Sequence, residues 1–126
     1  MKRYASGKDT GRKGEELAVN FLRKAGYRVV ERNYRCRFGE IDIVAMEGGT
    51  IVFVEVKSRR TERFGDPQLS VGRDKQKKIS RIALNYLQEK NIATRNARFD
   101  VVAVKMLPEG NTLELIQDAF GLAAGW

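Results

Sequence analysis

An α/β domain with one mixed β-sheet flanked by two helices, in the order α-β-β-β-α-β-β, is the architecture this sequence predicts. Two stretches repeat apolar residues at helical spacing, five short runs are rich in β-formers, and Gly48-Gly49 separates two of those runs as a hairpin turn does. The chain has 126 residues, close to the commonest size of one domain, and 42% are hydrophobic, enough for a single core.

The elements follow in order. Residues 1–10 are polar, basic and glycine-containing, and are expected to form a flexible basic arm ahead of one domain over 11–126. Over 12–25, Leu17, Ala18, Phe21, Leu22 and Ala25 share a helical face, and Gly26 ends the pattern. Tyr27, Val29, Val30 and Tyr34 make 27–34 a first strand; 40–46, opened by Gly39, is a second, and 50–57 is the clearest third. A basic loop with Gly65-Asp66-Pro67 leads to a second helix over 73–90, with Ile79, Ile82, Ala83, Tyr86 and Leu87 on one face. Strands over 99–105 and 112–116, joined by a turn at 108–111, complete the sheet. The tail from Phe120 is too rich in Gly and Ala to assign.

Composition removes several chemistries. There is no histidine, which excludes His-based acid–base catalysis, Ser-His-Asp triads and zinc–His sites. Cys36 is the single cysteine, so neither an intrachain disulfide nor a Cys-based zinc site can form, and a reducing compartment fits. The N-terminus lacks a signal-peptide apolar run and no stretch reaches the ~18 apolar residues of a membrane span. The expectation is a cytoplasmic protein with no membrane partner. The segment Ser6-Gly-Lys-Asp-Thr-Gly-Arg-Lys-Gly14 lacks the Gly-x-x-x-x-Gly-Lys-Ser/Thr order of a P-loop, so triphosphate binding is rejected.

Charge is uneven along the chain. The net charge is +8, which favours a polyanionic partner through counterion release. Residues 1–37 hold eleven basic and four acidic side chains, and residues 57–81 hold nine and three. Between them, residues 38–56 hold four acids (Glu40, Asp42, Glu47, Glu55) and no base. A phosphate-cleaving site wants this pattern, since carboxylates hold a hard cation while the basic surround positions the polyanion.

Strand alternation puts Glu55 and Lys57 on the face of Ile51 and Phe53, with Val52, Val54 and Val56 on the other. Asp42, on a face opposite Ile41 and Ile43, falls across the hairpin from Glu55. Two acids and a lysine in an apolar strand pair are costly unless a cation sits between the acids. Bound Mg²⁺ or Mn²⁺ would remove the repulsion and activate water, with Lys57 orienting or deprotonating it. The expected catalytic set is Glu15, Asp42, Glu55 and Lys57, with Glu15, Asp42 and Glu55 as metal ligands. Glu15 also suits helix-dipole compensation, and Glu40 is a second-shell acid or a salt-bridge partner. Arg12, Lys13, Arg59, Arg60 and Arg63 are candidate phosphate contacts. Lys75 and Lys78, on one face of the second helix, are either phosphate contacts or a solvated face.

Gly11-x-x-Gly14-Glu15-x-x-Ala18, Arg32-Asn33-Tyr34, Gly39-Glu-Ile-Asp42, Phe53-Val-Glu-Val-Lys57-x-Arg59 and Arg98-Phe-Asp-Val101 resemble the bacterial YraN-type family. By similarity that family belongs to the PD-(D/E)XK nucleases of restriction-endonuclease-like fold, and the likeness covers roughly residues 11–105. The pattern also resembles archaeal Holliday-junction resolvases. The resemblance implies divalent-metal hydrolysis of DNA phosphodiesters, with Asp42, Glu55 and Glu15 as metal-binding acids and Lys57 as the motif lysine. Ile41 stands where the superfamily name has proline. A homodimer is suggested by analogy with nucleases that cut two strands. Two other readings stay open at this point: a nucleic-acid-binding module without turnover, and a protein whose basic surface meets an acidic partner.

Overall fold

The computed structural model describes residues 7–60, 71–92 and 96–121, and its seven elements follow the expected order. They are α1 (Gly7–Lys24), β1 (Arg28–Cys36), β2 (Gly39–Glu47), β3 (Thr50–Arg59), α2 (Arg73–Glu89), β4 (Ala97–Leu107) and β5 (Gly110–Phe120). The five strands form one sheet in sequence order. β3 and β4 run parallel and every other neighbouring pair is antiparallel. Parallel neighbours need a long crossover, and α2 supplies it.

β3 shows why the sheet takes two layers of helix. Its run Ile51-Val-Phe-Val is β-branched or aromatic at every position and buried on both faces, as strands covered on both sides are. Ile51 and Phe53 pack with Ile79, Ile82, Ala83 and Tyr86 of α2. Val52 and Val54 pack with Ala18, Val19 and Leu22 of α1. Each large side chain removed from water in this way contributes ~1.5–3 kcal/mol. No described helix is long and apolar enough to cross a membrane.

Three details depart from the sequence reading. α1 begins at Gly7, so residues 7–10, expected in the arm, are helical. Once Ala18, Val19 and Leu22 anchor the helix, adding residues at its start repeats no nucleation cost. Residues 1–6 and the 65–67 loop lie outside the described residues. β5 continues to Phe120, whose ring stacks on Phe99 at 4.9 Å; Asp118, at φ 52°, absorbs an irregularity in register on the way.

The third departure bears on the site. Ile41 and Ile43 do not share a face: Ile41 packs toward α2 and Ile43 toward α1. The side-chain alternation therefore slips between them, at Asp42. β1 slips beside it, where Asn33 takes φ 54°, so that Arg32 pairs with Glu16 of α1 while Tyr34 packs toward α2. The β2–β3 ladder stops at Ile43↔Val54, and Asp42 occupies the gap beyond its last rung.

Candidate active site

Where β2 begins and β3 ends, the sheet opens into a pocket of about 510 Å³. Glu15, Asp42, Glu55 and Lys57 all line it, together with Arg59, Arg60 and Lys75. Of the other expected phosphate contacts, Arg12, Lys13 and Lys78 are exposed beyond its wall, and Arg63 lies outside the described residues.

Each acid reaches the pocket by a local device. The Asp42 carboxylate accepts the Val56 N–H at 2.8 Å, replacing the ladder bond that β2 no longer makes. Glu15 arrives because α1 lies close against β3 at Gly14: a Cβ there would meet Ser58 Oγ at 1.8 Å. The αL residue Asn33 hydrogen-bonds the Glu15 carboxylate, and Arg35 donates to Glu40 at 2.6 Å. Arg32-Asn33-Tyr34 thus binds both helices, since Arg32 holds Glu16 and the Tyr34 hydroxyl donates to Glu89 while accepting from Asn85.

Glu15, Glu40 and Asp42 each bring one carboxylate oxygen to within 4.8 Å of the others. Glu40, expected either to stand behind the metal ligands or to be a salt-bridge partner, is paired with Arg35 and is also one of this close trio. The fourth acid, Glu55, instead forms an ion pair with Lys75 Nζ at 3.0 Å. Lys75, expected either as a phosphate contact or as part of a solvated face, belongs to the acidic centre as well.

The electrostatic consequences are large. Burial pushes the Asp42 carboxyl up to about 7; Glu55, Glu15 and Glu40 add to this, against the Val56 N–H. Glu15 is raised too, mainly by burial, although the Asn33 hydrogen bond opposes it. Lys57 is lowered to about 8 by burial and by the neighbouring Lys75. Lys75 itself is raised despite burial, by its contacts with Lys57 and Glu55. Ser58 Oγ, at the Gly14 approach, is buried without a hydrogen-bond partner among the described residues.

A hard divalent cation suits this donor set: all oxygen, three carboxylates already converging, and an Asp42 carboxyl raised by burial and by its like-charged neighbours. Lys57 has an amine that loses its proton close to working pH, as a base that activates water must. Sequence spacing revealed Glu40 beside Asp42, because i and i+2 share a strand face. It could not reveal the Lys75–Glu55 pair, which depends on how α2 docks across the sheet.

A carboxylate-rich pocket rimmed by cations, at the strand ends of a mixed α/β sheet, is what the geometry defines. The chain belongs to the UPF0102 family, the YraN-type group that its motifs resemble; the model for "Uncharacterised protein family UPF0102" matches residues 14–104. It is 63% identical over 116 residues to a UPF0102 protein of Syntrophus aciditrophicus, covering 92% of this chain and 91% of the relative. A UPF0102 protein of Geobacter sulfurreducens is 51% identical over 114 residues, covering 90% of this chain and 89% of the relative. Among solved structures, a repair endonuclease from Pyrococcus abyssi matches with TM-score 0.45 and 19% identity. The EndoMS–dsDNA complex matches with TM-score 0.47 and 22% identity. In each case the match covers 87% of this chain and 42% of the solved chain.

Proposed function

We propose that this protein is a divalent-metal-dependent nuclease that hydrolyses phosphodiester bonds of structured or single-stranded DNA. The observation that carries the reading is the meeting of Glu15, Asp42 and Glu55 with Lys57, Lys75, Arg59 and Arg60 around one pocket, with Glu40 close beside Glu15 and Asp42. Acids alone would suit a cation site, and bases alone a binding surface. Both together suit a phosphate attacked beside a cation.

Asp42, Glu15 and Glu40 would hold Mg²⁺ or Mn²⁺, with Glu55 joining from β3. When bound, the ion polarises a phosphoryl oxygen and lowers the pKa of water. The chain's own residues do the rest. Lys57 takes a proton from the attacking water, or as the ammonium neutralises charge gathering on phosphorus. Arg59 and Arg60, which follow the motif on the same strand end, set the register of the sugar–phosphate backbone. The Val56 N–H fixes one Asp42 oxygen and leaves the other for the ion.

The test is incubation of purified protein with junction, flap and single-stranded DNA in Mn²⁺, beside Asp42→Asn and Lys57→Ala. Cleavage by the wild type that both variants lose supports the reading. Cleavage that persists in both contradicts it. Binding that weakens steeply with salt, without cleavage in any metal, favours a binding module instead.

A further inference from the structure

Of the three acids that line the pocket, Glu55 is the one with an ion pair among the described residues. Its side chain is 13% exposed, so water does little to balance it, and Lys75 Nζ lies 3.0 Å from its Oε1. Glu15, Glu40 and Asp42 crowd together, Glu40 being paired with the exposed Arg35. Lys75 also lies against Lys57, a second ammonium in the same pocket. Two like charges at that spacing are tolerable because an acid sits beside them. Any divalent cation that recruits Glu55 must therefore take that acid from Lys75.

Lys75 is built to leave. It stands in the first turn of α2, its side chain is 42% exposed, and its four-carbon stem ends in a point charge that keeps no fixed geometry. Lys57, by contrast, is half-buried on β3, where the strand is paired with Ala103 of β4. Resting on the metal-dependent reading above, we propose that Lys75 is a positioning residue: a resident counter-ion that holds Glu55 and that a divalent cation must displace. Its presence weakens the metal site and keeps Glu55 aimed into the pocket before the ion arrives.

Mn²⁺ titration by calorimetry of wild type, Lys75→Met, Lys75→Arg, Lys77→Met and Asp42→Asn tests this without reference to activity. Lys75→Met should bind Mn²⁺ about tenfold more tightly, the scale of one nearby charge removed from a partly screened site. Lys75→Arg retains the counter-ion and should stay near wild type. Lys77→Met removes one exposed charge from the same helix and should change affinity less than about twofold. Equal gains in the two methionine variants would overturn the proposal, since only long-range charge is then at work. So would a Lys75→Met that binds no more tightly than wild type. If the wild type binds Mn²⁺ and Asp42→Asn does not, such a result removes the Lys75 role alone. If none of the proteins binds Mn²⁺, the nuclease reading falls with it.

Discussion

Two acids on the strands that flank β3 have opposite surroundings. Asp100, fully buried on β4, has both oxygens engaged: Tyr27 Oη donates at 2.7 Å, Arg98 Nε at 3.0 Å and the Asp118 N–H at 2.9 Å. Glu47 and Gln117 close the network through Arg98 and Tyr27. Asp42, on β2, accepts one backbone N–H and otherwise faces three more acids. One carboxylate is satisfied by protein and the other is left in want of a cation. Buried polar groups are normally paired, so an acid that the fold frustrates is a mark of function rather than of stability.

Substitutions at these two positions should separate stability from chemistry. Asp100→Ala strands Arg98 and Tyr27 without their partner and should destabilise by about 3–5 kcal/mol in denaturant titration, with cleavage per folded molecule retained. Asp42→Asn should do the reverse: cleavage falls by about 10²–10³-fold, the scale of losing one key electrostatic group. The ion-free fold meanwhile becomes more stable at neutral pH, because an amide keeps the Val56 bond without the repulsion. Equal loss of stability at both positions would erase the distinction.

A smaller effect sharpens the boundary between scaffold and site. Gly14→Ala would normally strengthen a helix by up to about 1 kcal/mol. Here the new methyl collides with Ser58, so a net loss of about 1–3 kcal/mol is expected, with a matching fall in activity as Glu15 is pushed away. Ser58→Ala in the same chain should recover part of both, read as a double-mutant cycle of thermal melts. Smallest of all, Arg32→Gln breaks an exposed pair with Glu16 and should cost less than about 1 kcal/mol.

Much of this was legible in the sequence. The two-sided apolar run of β3, the glycine pair at the first long hairpin and the i, i+4 stripe of α2 fixed element order, because each pattern is local. Asp42 and Glu55 could be named for the same reason, since an acid amid apolar strand residues is conspicuous. Lys57 follows two residues after Glu55 on the same strand face, while Glu15 stood out as a carboxylate near the start of the first helix. The slip at Asn33 and Asp42 was not legible. It depends on two strands bending together, and a polar residue at φ 54° leaves no periodic trace. Nor was the role of Arg98-Phe-Asp-Val101, whose partners at Tyr27, Glu47 and Asp118 are scattered along the chain.

The pH dependence of Asp42 follows from its raised pKa. Folding strengthens proton binding at this carboxyl, so between the ordinary carboxylate range and about 7 the native state holds more protons than the unfolded chain. Stability from this group therefore falls as pH rises through that window. A divalent cation should supply the missing charge and cancel the fall. The decisive experiment is a set of thermal melts from about pH 5 to about pH 8, in chelator and in Mg²⁺, for wild type and Asp42→Asn. The account predicts a melting temperature that drops with pH in chelator, is restored by Mg²⁺ in the wild type, and responds much less to either in Asp42→Asn, where Glu15 keeps a raised carboxyl. Wild-type and Asp42→Asn curves that coincide, with and without Mg²⁺, would contradict it.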